Sequence, residues 1–218
     1  MKQRIPETNE GIQGEFDVSV FNEFQKNMRD RGWIETNQII QSGIAQGHAL
    51  EVGPGPGYLG LEWLKNTSGT RLTGLEISAN MIALAQKNAL AYGFDLERVK
   101  YVQGNAMLMP FEADQFDAAF SNGSLHEWER PGDVLSEIAR VLKPAGRFFI
   151  SDLRRDSSPF IKLFLSASTN RMMRAGLKTS LQASYTKREL EEIIEATPLR
   201  GASVRTNPVS LSVSGSLI

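Results

Sequence analysis

From residue 48 onward, two apolar rhythms alternate along the chain. Short runs rich in Val, Ile, Leu and Phe occur at "HALEV" (48–52), "RLTGLEI" (71–77), "VKYVQGN" (99–105), "FDAAFSN" (116–122) and "RFFISDL" (147–153). Between them apolar residues recur at spacings of three and four. Tyr58 to Lys65 forms one such stretch. Met81, Ile82, Ala85 and Ala89 form a second, opened by Ser78 as a cap and closed by Gly93. After Pro131 and Gly132, Val134, Leu135, Ile138, Val141 and Leu142 form a third, ended by "LKPAG". Strand followed by helix, repeated, predicts βα units on a parallel sheet.

Both ends depart from this rhythm. Residues 1–15 are polar with Pro6, Gly11 and Gly14 and read as a flexible arm. Phe16, Phe21, Phe24 and Met28 form a helical stripe. Trp33, Asn37, Ile40 and Ile44 predict a second helix after Gly32, so that 16–46 holds two helices. Residues 153–185 show no clear strand, carry Met172 and Met173, and hold six basic residues against one acid, which predicts a helical insertion. Thr186 and Glu189 then match a capping box ahead of Leu190, Ile193 and Ile194, and "ASVRTN" and "VSLSVSGSL" read as two closing strands around Pro208. The expected architecture is α/β: a doubly wound, Rossmann-like, seven-stranded sheet, mostly parallel with an antiparallel last strand, in one domain over 16–218.

Length and composition fit that picture. The 218 residues, 41% of them apolar, suffice for one full core. The formal charge of −1 gives no general attraction to nucleic-acid backbones, and no nucleic-acid partner is expected. With no cysteine and only His48 and His126 as imidazoles, no metal site is expected. No apolar leader and no run of about 20 apolar residues occurs, so neither a membrane span nor export is expected, and the expected location is cytoplasmic.

Chemistry concentrates at the first strand-to-helix turn, "LEVGPGPGYLG" (50–60). Gly55, Gly57 and Gly60 spell the dinucleotide fingerprint G-x-G-x-x-G, with Glu76 about 20 residues beyond. Glu51, Gly53, Gly55 and Gly57 equally spell E-x-G-x-G-x-G. Both readings use glycine so that a ligand can approach backbone without meeting a β-carbon. They part at Glu51, because a carboxylate ending the strand repels a pyrophosphate and attracts an ammonium or a sulfonium. Pro54 and Pro56 stiffen the turn.

The motifs downstream are similar to those of the class I S-adenosylmethionine-dependent methyltransferases, over roughly 48–152. The likeness is to the type 11 subgroup that includes the quinone-biosynthesis methyltransferases. "LEVGPGPG" resembles the first motif, "LTGLEIS" the second, "VQGNAMLMPF" the third and "FDAAFSNGSLHEW" the fourth, and "EIARVLKPAGRFFISDL" completes the set. The resemblance implies S-adenosyl-L-methionine as cofactor, S-adenosyl-L-homocysteine as product, and methyl transfer to a small molecule. It implies that Glu51 and the turn of Gly53, Gly55 and Gly57 hold the methionine end, that Glu76 takes the ribose hydroxyls, and that Ile77 and Met81 line the adenine. Asn105 stands where the family often has aspartate, with its amide oxygen and the Ala106 N–H facing the adenine edge. Two other readings stay open, an NAD-dependent oxidoreductase and a cofactor-binding relative without turnover.

Ser121 and Asn122 end the fourth strand at the carboxyl edge, where open α/β sheets bind ligands, and Asn122 is counted among the cofactor-binding residues. The string "NGSLHEW" departs from the N-P-P-Y type of amino-group methyltransferases, and the lack of cysteine argues against the arsenic-methylating relatives. His126 is the candidate base, with an ordinary pKa near 6.5; Tyr58 and Asp152 are lesser candidates. Arg154, Arg155, Lys162, Arg171, Arg174 and Lys178 make 153–185 a substrate cover that could attract an anionic acceptor.

Overall fold

The computed structural model describes residues 4–6, 15–95, 97–169 and 171–217. The arm expected over 1–15, with Gly11 and Gly14, lies almost wholly outside the described residues, as does the Phe16 side chain. Helix α1 (Glu15–Asp30) and helix α2 (Thr36–Gln41) precede the sheet. The core units follow in the expected order: β1 (His48–Val52), α3 (Tyr58–Lys65), β2 (Arg71–Glu76), α4 (Ala79–Ala91), β3 (Val99–Gln103), β4 (Phe116–Asn122), α5 (Pro131–Val141) and β5 (Leu142–Leu153). Ser78 caps α4 by accepting from Met81 N–H, and Gly93 follows in the left-handed region at φ 78°.

Seven strands form one sheet in the order β3-β2-β1-β4-β5-β7-β6, where β6 is Ser203–Thr206 and β7 is Ser210–Ser216. Strands β1 to β5 pair in parallel, and β7 runs antiparallel to both β5 and β6. Chain order reverses between β1 and β4, and at such a switch point the flanking connections leave to opposite faces and open a crevice at the carboxyl edge. β1 is buried over Ala49–Val52 because helices cover both faces. One core packs β-strands against α5 and against α8 (Lys187–Glu195) through Leu135, Ile138, Leu190 and Ile194. The other packs them against α2 and α3 through Ile39, Leu61, Trp63 and Phe120.

Strand β5 starts earlier than its sequence pattern indicates. Leu142 already pairs with Phe116, and a bulge follows before Arg147 pairs with Ala118. Ala145 sits at φ 62° in that bulge. The turn expected from "LKPAG" is therefore inside the strand. The insertion is helical as expected, with α6 (Pro159–Ser168), a 3-10 turn (Arg171–Met173) and α7 (Arg174–Ala183). Its two ends are held together at the neck, where Arg154 bridges Tyr185 and Arg155 N–H donates to Tyr185 C=O. The capping box is complete: Thr186 Oγ1 accepts from Glu189 N–H, and the Glu189 side chain accepts from Thr186 N–H.

Phe120 is 1% exposed on β4 and packs on Trp63 with ring centroids 5.6 Å apart. Phe120→Ala is expected to cost roughly 3–5 kcal/mol, as large-to-small changes in a close-packed core do. Leu90→Ala, at a site 71% exposed, is expected to cost under about 0.5 kcal/mol. Urea midpoints, with the m-value unchanged, check both.

Candidate functional site

A cleft opens at the β1/β4 switch point and is about 1120 Å³ counted out to its mouth. The first turn forms its floor. Gly53 has φ 69°, and a β-carbon there would lie 2.3 Å from Ser124 Oγ, whose hydroxyl donates to Gly53 C=O at 3.1 Å. Glycine is thus required where the turn meets the loop after β4. Gly53, Gly55, Pro54 and Pro56 line the cleft. Gly57 does not line it. It caps α3 at φ 84° and packs beneath the turn, where a β-carbon would lie 2.6 Å from Tyr101 Oη.

Glu51 ends up on the cleft floor, 2% exposed, and its Oε2 has no hydrogen-bond partner. Burial pushes its carboxyl up to about 8; the nearby Gly60 N–H opposes this and the Glu76 charge adds to it. Gly60, the last glycine of the dinucleotide fingerprint, serves Glu51 itself, since a β-carbon there would lie 2.2 Å from Oε2. Glu76, at the end of β2, is fixed by backbone. Ser78 N–H donates to Oε1 and Gly55 N–H to Oε2, both at 3.0 Å. Burial raises the Glu76 pKa against these amides. Each oxygen keeps a second lone pair for a ligand hydroxyl.

Ile77, Met81, Asn105, Ala106 and Asn122 also line the cleft. Ile77 is 38% exposed, as an apolar side chain on a cavity wall should be, while Met81 is buried. Asn105 Oδ1 already accepts from Met107 N–H at 2.8 Å, and Asn122 Nδ2 donates to Ser151 Oγ at 2.9 Å. Tyr58 lines the cleft with its hydroxyl donating to Asn22 Oδ1 of α1 at 3.1 Å, and burial raises its pKa. Helix α1 roofs the cleft with Phe21 and Gln25.

His126 stands behind the wall. It lies in a 3-10 turn (Leu125–Glu127), 6% exposed, and is not among the lining residues. Its Nδ1 lies 2.9 Å from both oxygens of Asp152, and its N–H donates to Asp152 Oδ2 at 2.7 Å. Nε2 faces the lining residue Glu127 at 4.0 Å. Glu127 and Trp128, inside "NGSLHEW", line the cleft where the sequence pattern gives no sign of it; the 3-10 turn keeps residue 126 off the cleft and brings the next two residues to its wall, a short-range geometry with no periodic signal.

The basic residues of the insertion go elsewhere. Arg154 pairs with Asp156, Arg155 with Glu189 and Ser184 C=O, Lys162 donates to Arg155 C=O, and Arg171, Arg174 and Lys178 are exposed. None of them lines the cleft. His48 is structural: its Nε2 meets Thr73 Oγ1 and its ring packs on Phe116. Among the described residues no group of His, Asp and Glu could hold a metal, and no helix is long and apolar enough to cross a membrane.

Residues 50–150 match the family described as a methyltransferase domain. Over that segment the chain is similar to the class I methyltransferases. The chain is 30% identical over 115 residues to the ubiquinone/menaquinone biosynthesis C-methyltransferase UbiE of Paracoccus denitrificans, covering 53% of the chain and 46% of that protein. It is 36% identical over 125 residues to the O-methyltransferase resE of Aspergillus sclerotiorum, covering 56% and 46%. The chain thus spans about half the length of these curated relatives. A solved methyltransferase from Aquifex aeolicus shares the fold at TM-score 0.71 and 18% identity, over 94% of this chain and 100% of that one. The match over residues 50–150 does not favour the dinucleotide reading of the turn.

Glu51 carries a pH signature. With its carboxyl raised from 4.5 to about 8, the folded chain holds a proton that the unfolded chain has released, so stability falls as pH rises through that window. Glu51→Gln removes the cost of ionising a buried acid. Its thermal midpoint is expected to gain on the wild type between pH 5 and pH 8.5, by the equivalent of about 2–4 kcal/mol. A difference that stays flat with pH would contradict the assignment.

Proposed function

We propose that this chain binds S-adenosyl-L-methionine in the cleft and transfers its methyl group to a small neutral acceptor. The observation that carries this reading is the buried, unpartnered Glu51 Oε2 on the floor of a glycine turn, beside Glu76 at the next strand end. A carboxylate in that position suits an ammonium and opposes a pyrophosphate. The backbone-held Glu76 suits vicinal hydroxyls, and Ile77, Met81 and Ala106 offer apolar faces for a purine. Asn105 and Ala106 would meet the purine edge, and Gly53 and Gly55 leave room for backbone approach. Gly57 supports the turn from below.

When bound, the cofactor supplies a methyl group made electrophilic by a sulfonium. The chain's part is to place the acceptor in line and to exclude water. Phe21 and Gln25 on one side and Trp128 on the other close the space beside Asn122. For a hydroxyl or enol acceptor, the proton passes to His126 by way of the lining residue Glu127, since His126 itself does not line the cleft. Asp152 is acceptor-only when ionised, so Nδ1–H donates to it and Nε2 is left as the basic atom, turned toward the cleft wall at Glu127. Asp152 is a positioning residue that fixes the tautomer and ring plane. We favour a neutral acceptor over the anionic one because the basic side chains of the insertion are engaged at its neck or face solvent. The relatives that methylate carbon and oxygen, by their names, fit an acceptor of this kind.

S-adenosylmethionine and S-adenosylhomocysteine are each expected to raise the melting temperature, and NADH to leave it unchanged. Glu51→Gln and Glu76→Ala should each weaken that shift by at least about tenfold in apparent affinity, the loss of one charge-assisted contact. A shift with NADH alone would overturn the reading.

Release of S-adenosylhomocysteine with a panel of phenols, quinols and amines reads out turnover. For a hydroxyl acceptor, His126→Ala should lower kcat by about 100-fold or more with the thermal shift retained. Asp152→Asn should lower kcat less and move the pH profile.

A further inference from the structure

We propose that α6 and the turn that follows it form a docking surface for an anionic lipid bilayer. Helix α6 buries none of its residues. Phe160, Leu163 and Phe164, at spacings of three and four on one face, are 75%, 68% and 53% exposed, and Met172 in the next turn is 59% exposed. Helices of a folded domain ordinarily turn such a stripe inward, and an exposed apolar patch marks an interaction site. The segment that carries this patch has charge of one sign. From Ser157 to Arg188 the chain has no Asp or Glu, although acids and bases nearly balance overall. Arg171, Arg174 and Lys178 are exposed in the turn and helix that follow α6, with Arg174 Nε donating to Thr169 C=O at its end.

Aromatic and aliphatic side chains beside exposed cations on a convex helix are the features of an element that lies in a membrane interface. The apolar groups enter the acyl boundary while the cations meet lipid phosphates. A second copy of the chain fits less well, since it would bring two basic faces together, and a convex helix offers no groove for a peptide. The placement is also apt. The 3-10 turn Arg171–Met173 packs on α1, which roofs the cleft, and α7 packs on the turn that carries His126. The docking surface therefore adjoins both walls of the cleft. This inference does not depend on the identity of the acceptor.

Sedimentation of the full chain with vesicles tests it. Binding is expected to phosphatidylcholine vesicles containing about one-third phosphatidylglycerol, and at least tenfold less to phosphatidylcholine alone or at about 0.5 M salt. The double variant Phe160→Ser/Phe164→Ser and the triple variant Arg171→Glu/Arg174→Glu/Lys178→Glu should each lose tenfold or more of the binding. Circular dichroism and the thermal midpoint should stay as in the wild type, since the altered residues are exposed. Absence of binding to the anionic vesicles, or binding that both variants retain, would overturn the proposal. So would a concentration-dependent dimer, seen by light scattering, that the serine variant dissolves.

Discussion

Glu51 ends the central strand, and its carboxylate lies on the floor of the cleft with one oxygen unpartnered. Much of the site is arranged around that burial. Gly60 has no side chain because Oε2 occupies the space, and Gly57 has none because the Tyr101 hydroxyl, also buried without a partner, lies beneath it. A buried acid without a partner costs stability, and proteins keep such groups where a ligand offsets the cost. In the proposed function a cationic group of the ligand offsets this cost, where a pyrophosphate would add to it.

Topology supplies the space around this group. Strand order reverses between β1 and β4, so the turn after β1 and the loop after β4 face each other. The Ser124 hydroxyl joins them at Gly53 C=O, and Glu76 joins the β2 end to the same turn through Gly55 N–H. Three strand ends are thereby tied into one rim. Helix α1 closes the rim from above, held by the Tyr58 hydroxyl on Asn22. The site is preorganised by hydrogen bonds from backbone to side chain, which cost little to keep in place when a ligand binds.

The acceptor side follows a different logic. His126 and Asp152 come from separate elements, the loop after β4 and the end of β5, and meet because those strands are parallel neighbours. Asp152 also accepts from the His126 and Leu153 amides, so it fastens the loop as well as the ring. One carboxylate thus holds two backbone amides and an imidazole together.

The sequence by itself determined the βα succession, the caps at Ser78 and Thr186, the helical insertion and the strand-end acids Glu51 and Glu76. All of these are written in local periodicity and in single residues with strong conformational or chemical preference. Motif order was legible too, and with it the family resemblance. Tertiary structure alone decided which glycines face the cleft and which pack beneath it, because Gly53 and Gly57 carry the same letter and differ only in their neighbours. It likewise decided that β5 begins at Leu142 through a bulge, that Glu127 and Trp128 line the cleft while His126 does not, and that Arg154 and Arg155 close the insertion's neck. Each of these depends on contacts between residues distant in the chain, and neither composition nor spacing encodes such contacts.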